Sequence, residues 1–129
     1  MRNLLLILLL APTLAFADQG NPTIDAVTNA LATGNIETLT RYLSDNVEIS
    51  IQDREQMCNK AKATEVLRGF FAGNQPRGFN QMHRGSSREN SDQYCIGTLN
   101  TQNGIFRVYV YFKSVGTGML IQEMRFDKE

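Results

Sequence analysis

Few side chains in this 129-residue chain have the types and spacing to do chemistry. The single histidine, His83, sits in His83–Arg84–Gly85–Ser86–Ser87. A histidine titrates near neutral pH and is the natural general base, provided a pocket holds its substrate and a carboxylate sets its tautomer. No acidic residue has a clear claim to that second role. Ser86 and Ser87 lie too close along the chain to His83 to share one inward site with it. The expected role of His83 is therefore to satisfy a sheet edge or pack on a neighbour. The carboxylates read as surface groups: Glu48 alternates with apolar neighbours, Asp45 and Asp53 fall in turn-forming stretches, and Glu65 lies off the apolar face of its helix. Two cysteines and one histidine make no metal quartet. No phosphate loop or dinucleotide fingerprint is present. The chain is thus expected to hold no catalytic residue, metal or cofactor.

Charge removes other classes. The 13 basic and 13 acidic side chains cancel. A neutral chain lacks the field that displaces counterions from nucleic acid, and it lacks a polybasic membrane surface. The apolar run Leu4–Leu10, preceded by Arg2 and followed by Ala15–Phe16–Ala17, has the form of a secretory signal peptide over residues 1–17. It is too short to span a bilayer, so no membrane span is expected after cleavage. The exported chain, periplasmic or secreted, is expected to begin with a mobile lead over residues 18–22, followed by one domain over residues 23–129. Export exposes Cys58 and Cys95 to an oxidising compartment, where only one intrachain pairing exists.

The elements that must position these groups follow from periodicity. Thr23 is a possible cap for a helix burying Ile24, Val27, Ala30 and Leu31. Asn35 can cap a second short helix with Ile36, Leu39, Tyr42 and Leu43 on one side. Ser44–Asp45–Asn46 has turn chemistry, and Val47, Ile49 and Ile51 alternate as a half-buried strand. Asp53–Met57 reads as a polar loop. Asn59 can cap a third helix carrying Ala63, Val66, Leu67, Phe70 and Phe71. From Phe79 onward the pattern is strands and turns.

Asn103–Gly104 is a strong hairpin signal and predicts that Leu99 faces Val108, Gly97 faces Val110 and Cys95 faces Phe112. A second turn near Val115–Gly116 is expected to set Arg107 across from Glu123 and Tyr109 across from Ile121. One sheet face then carries Leu99, Phe106, Val108, Val110, Phe112, Leu120 and Met124, with Cys95, Gly97 and Gln122 among them, and receives the helices. On that face Gln122 is an oddity, because a buried amide without partners costs about 1–3 kcal/mol. It must bond to helix backbone or to His83, or point into a pocket. Gln122, His83 and the gap at Gly97, walled by Tyr42, Phe70 and Phe71, are the candidates for a pocket taking a small apolar ligand. The opposite face carries Ile96, Tyr109, Tyr111, Met119 and Ile121 inside a rim of Arg107, Lys113, Glu123 and Arg125. An apolar patch with a charged rim marks a partner surface, and these residues predict a homodimer. Cys95, on the helix side, and Cys58, just ahead of the covering helix, are placed to meet as a disulfide. The other reading is two separate buried thiols.

Helix–helix–strand–helix before a curved antiparallel sheet resembles the nuclear-transport-factor-2-like fold, an α+β cone related in shape to cystatins. More narrowly, the chain resembles a small exported bacterial family catalogued as domain of unknown function 4783. The resemblance runs from about Ile24 to Phe126. It is carried by Gly34–Asn35–Ile36 with Leu39, the helix ending in Phe70–Phe71, and Phe79. It continues through His83–Arg84–Gly85–Ser86–Ser87, Tyr94 with Ile96–Gly97–Thr98–Leu99, Phe106–Arg107–Val108–Tyr109 and Leu120–Ile121–Gln122–Glu123. The resemblance implies three N-terminal helices on a curved, mostly antiparallel sheet, export, and a pocket between helices and sheet. It supplies no activity. The function expected is non-catalytic binding of a small ligand or a protein. The alternatives are a small-molecule isomerase or hydrolase with its site in the cone, and a structural component of the cell envelope.

Overall fold

The computed structural model describes residues 21–86 and 91–129. The signal segment, the start of the lead and Ser87 lie outside the described residues. Three helices form, each opened by an asparagine. Helix α1 spans Pro22–Thr33, α2 spans Ile36–Tyr42 and α3 spans Lys60–Gly73. The side-chain oxygen of Asn21 accepts from the Thr23 amide at 2.9 Å, that of Asn35 from Thr38 at 3.1 Å, and that of Asn59 from Lys62 at 2.8 Å. Each cap satisfies an amide that the first helical turn leaves without a partner. The cap of α1 is Asn21 rather than Thr23, because Pro22, with no amide hydrogen and a fixed φ, serves best as the first helical residue.

The sheet has six strands: β1 (Leu43–Ile51), β2 (Arg54–Asn59), β3 (Pro76–Ser86), β4 (Gln93–Thr101), β5 (Gly104–Val115) and β6 (Gly118–Lys128). Their order is β2-β1-β6-β5-β4-β3, antiparallel throughout except for the parallel pair β1 and β6. Two stretches expected as turn and loop are strand. Ser44–Asn46 belong to β1, whose register against β6 is irregular there. Residues from Arg54 to Met57 belong to β2, an edge strand that pairs on one side only and buries only Cys58. The turn between them is Gln52–Asp53, both at positive φ, as a tight hairpin requires.

The β4–β5 hairpin turns one residue earlier than the sequence suggests. Its loop is Gln102–Asn103, and Leu99 faces Phe106, Gly97 faces Val108 and Cys95 faces Val110. Side-chain and tertiary bonds account for the shift. The Thr101 hydroxyl accepts from the Asn103 amide at 3.1 Å and donates to the Gly104 carbonyl at 2.7 Å. The Gln102 amide donates to the Gln75 carbonyl at 2.9 Å, and the Asn103 side chain donates to the Gly73 carbonyl, tying the turn to the end of α3. Gly104 then opens β5 at φ +113°, a conformation a side chain would resist. Each partner moves by two residues, so the assignment of faces survives. Leu99, Phe106, Val108, Val110 and Phe112 are buried under the helices.

In β6 the assignment of faces does not survive along the whole strand. The turn is Gly116–Thr117. Val115 faces Gly118 and Phe112 faces Ile121, whereas Tyr111 faces Glu123, so Gln122 is an extra residue with no partner on β5. A bulge of one residue inverts the alternation on one side of it. Ile121 is therefore fully buried in the core, and Met119 packs against the core from its margin. Leu120, opposite Lys113, takes the face assigned to Ile121, and Gln122 is exposed. The expected pairings of Arg107 with Glu123 and Tyr109 with Ile121 are replaced by Arg107 with Asp127 and Tyr109 with Arg125.

Aromatic rings fill the space between α3 and the sheet. The Phe70 ring lies 5.1 Å from that of Phe106 and 4.6 Å from that of Phe126, and Phe71 lies 6.3 Å from Phe126. The gap at Gly97 is filled by Phe79: a Cβ there would overlap the Phe79 ring and stand 2.6 Å from the Asn80 carbonyl oxygen. Tyr42 packs against the core margin. The expected pocket of Gly97, Tyr42, Phe70 and Phe71 is thus packed side chain. The two cysteines are free and buried, on β2 and β4. Three strands separate them, so about 4.8 Å per strand places them far beyond the roughly 7 Å that a disulfide bridges. The pairing expected from sequence placed Cys58 just ahead of the covering helix, whereas it belongs to β2 at the edge of the sheet.

Two outcomes follow. Gly97→Ala should cost roughly 1–3 kcal/mol in urea denaturation, and less in a Phe79→Ala background, where one of its two clashes is gone. Burial pushes the Cys95 thiol up to about 11 and raises that of Cys58. Alkylation near pH 8 without reductant should modify neither cysteine in the folded protein and both in denaturant, read by mass spectrometry.

Candidate binding cleft

The face of the sheet turned away from the helices holds the chemistry. Register aligns residues there in rows. One row runs Gly85, Tyr94, Tyr111, Glu123, Glu48 and Met57 across all six strands. The next runs His83, Ile96, Tyr109, Arg125, Ser50 and Glu55. Aromatic groups collect toward β4 and β5, and carboxylates toward β6, β1 and β2. Where the two halves meet is a cleft of about 360 Å³, lined by Asn46, Glu48, Met57, Tyr109, Tyr111, Gln122 and Glu123.

The aromatic wall is braced from below and behind. The Tyr111 hydroxyl donates to Asp92 at 2.8 Å, and the other Asp92 oxygen accepts the Ser114 amide at 3.0 Å. The Ser114 and Tyr111 bonds hold the Asp92 carboxyl below its usual range, and the same Asp92 bond raises the Tyr111 hydroxyl. Tyr109 is half-buried, and its burial also raises its hydroxyl. Its ring lies 6.1 Å from that of Tyr94, whose hydroxyl meets His83 Nε2 at 2.9 Å. His83 therefore has a tyrosine, not a carboxylate, as its partner.

The acidic wall is crowded. Glu48 and Glu123 are direct partners across the parallel β1–β6 pairing. Burial, and then repulsion from Glu48 and Glu55, raise the Glu123 carboxyl, with Arg125 partly opposing. Arg125 approaches Glu123 only to 3.8 Å, because its guanidinium is held by Glu55 at 3.0 Å. Ser50 lies between these two in the row, buried, its hydroxyl without a partner.

Of the residues singled out from the sequence, the structure gathers Gln122, Tyr109 and Tyr111 in one cleft. Ile96 and His83 lie on the same face beside it. Gly97, Tyr42, Phe70 and Phe71 belong to the other side of the sheet, and Met119 and Ile121 leave the partner face for the core. Glu48, Asn46 and Met57 are additions. The outward aim of Glu48 is readable from its alternation, but its place beside Glu123 depends on a pairing between strands far apart in the chain. Among the described residues no three His, Cys, Asp or Glu side chains gather to hold a metal ion. Two carboxylates beside two tyrosine faces, with amides at Asn46 and Gln122, suit the capture of a ligand by charge, ring contact and hydrogen bonds. A raised carboxyl opposes folding once it ionises, so its penalty is absent below the ordinary value of 4.5 and grows as pH climbs through the raised one. Glu123→Gln should accordingly melt above the parent at pH 7 and converge with it near pH 4, as followed by circular dichroism.

Comparison with known proteins agrees with this architecture. The family model described as domain of unknown function (DUF4783) matches residues 24–127. A solved family member from Bacteroides ovatus is 38% identical, with a TM-score of 0.77, covering 81% of this chain and 93% of its own. One from Bacteroides fragilis is 36% identical, with a TM-score of 0.76, covering 81% and 96%. A nuclear-transport-factor-2-like protein from Cytophaga hutchinsonii shares the fold at 10% identity, with a TM-score of 0.62, covering 83% and 93%. No protein of curated function matches. Three helices on a curved six-stranded mixed sheet, matched along nearly the whole described chain, place this protein in the DUF4783 family, on the nuclear-transport-factor-2-like fold.

Proposed function

We propose that this protein is an exported binding domain without chemistry of its own, and that it binds through the outer face of its sheet. The observation that carries the reading is the cleft between Tyr109, Tyr111, Glu48 and Glu123. Its volume of about 360 Å³ suits a small molecule. Its aromatic residues are half-buried on a face that the helices leave bare, since all three helices bury their apolar residues in one cluster with the inward side of the sheet. On the helix side, the space around α3 and Gly97, where the sequence suggests a pocket, is filled by Phe70, Phe71 and Phe79. The signal-peptide pattern of residues 1–17 supports export.

Self-pairing through the same face is the rival reading. It loses Met119 and Ile121 to the core and retains Ile96, Tyr109 and Tyr111. A two-fold contact centred on the cleft would bring two copies of Glu48 and Glu123 together, which disfavours it. Native mass spectrometry of the protein purified from its own cell envelope, beside Tyr109→Ala, separates the two. The expected result is a monomer carrying a small-molecule adduct that Tyr109→Ala lacks at unchanged fold. A bare monomer in both proteins counts against a ligand, and a dimer abolished by the substitution makes the face a self-association surface.

A further inference from the structure

Resting on the outer face as the binding face, we propose that the cleft takes a small organic cation. Its ammonium group would lie over the Glu48–Glu123 pair and against the rings of Tyr109 and Tyr111. Like charges set directly opposite on neighbouring strands repel, and a sheet bears that cost only where something offsets it. Glu48 and Glu123 are such a pair, about 4.8 Å apart along the sheet. The protein's own nearest cation offsets it only in part. Arg125 is committed to Glu55 at 3.0 Å and reaches Glu123 only at 3.8 Å, and among the described residues Glu48 enters no ion pair. A buried hydroxyl without a partner, Ser50, lies on the same face two residues from Glu48, a further polar group left unsatisfied by the chain itself.

The neighbouring walls select the kind of cation. A hard metal ion asks for six or more oxygens closing round it. Here the carboxylates are flanked by tyrosine faces on β5 and the Met57 side chain on β2, which is 69% exposed. An aromatic face attracts a cation through its quadrupole, most strongly one that sheds water easily, and alkylammonium groups do so. Asn46 and Gln122 at the margin offer amides to a hydroxyl or amine elsewhere on the ligand. Among the described residues that line the cleft, an anionic ligand would meet two carboxylates and no basic side chain.

The test uses the chain from residue 18 onward and four probes: choline, its analogue with carbon in place of the quaternary nitrogen, putrescine and calcium chloride. Binding is followed by amide chemical shifts and calorimetry. The expected result is saturable binding of choline or putrescine, with shifts at Glu48, Tyr109, Tyr111 and Glu123, and binding of the neutral analogue weaker by about tenfold or more. Glu48→Gln and Tyr109→Ala should each weaken the cation by about tenfold while the circular dichroism spectrum is kept. Equal binding of the neutral analogue, or indifference to Glu48→Gln, overturns the charge argument and leaves the cleft standing as a binding face. Tighter binding of calcium overturns the organic cation. If neither cation binds, the ligand class is wrong, and an adduct sensitive to Tyr109→Ala in native mass spectrometry still distinguishes that failure from failure of the face itself.

Discussion

One extra residue in β6 decides what each face of this protein is made of. A strand shows its side chains alternately to the two sides, so a single unpaired residue exchanges everything on one flank of it. Gln122 is that residue. It lets both Ile121 and Met124 reach the core although they are three apart in sequence, and it leaves Gln122 and Glu123 together on the outside. Without the bulge either Ile121 or Met124 would face water. The core requires both, and the cleft is built from the residues displaced to satisfy it. Bulges at the edge of functional concavities re-aim side chains in this way.

The second constraint is the parallel contact between β1 and β6. It brings the first strand of the chain beside the last, closes the six-stranded sheet, and sets Glu48 against Glu123. The repulsion there is tolerated because the outer face admits water and because Arg125 stands one row away. Its bond to Glu55 spans Ser50 and joins β6 to β2 across β1, so the one basic group near the pair is used to hold three strands together. Acidic charge is concentrated where the aromatic wall ends.

The helix side is finished by aromatic packing. Phe70 and Phe71 at the end of α3 meet Phe106 and Phe126, and Phe79 lies over Gly97. Rings at these separations and tilts fill the space between α3 and the curved sheet efficiently. Around α3 and Gly97 the described side chains fill the helix side, and the cleft lies on the outer face. Both thiols are buried, each on its own strand.

Local chemistry in the chain determined the helices, their asparagine caps at Asn35 and Asn59, and the inward set Leu99, Phe106, Val108 and Val110. Each depends on spacing along one segment, or on a hairpin whose error came in an even step. What only the tertiary structure decided are the features that involve segments far apart. The tie of Gln102 and Asn103 to the end of α3 moved the hairpin loop. Edge position made a strand of the polar residues from Arg54 to Met57. The bulge sent Ile121 inward and Gln122 outward, the β1–β6 pairing joined Glu48 to Glu123, and the strand order parted Cys58 from Cys95. Periodicity reports which way a side chain points within its own strand, while the neighbour it meets there is set by packing the whole sheet against one core.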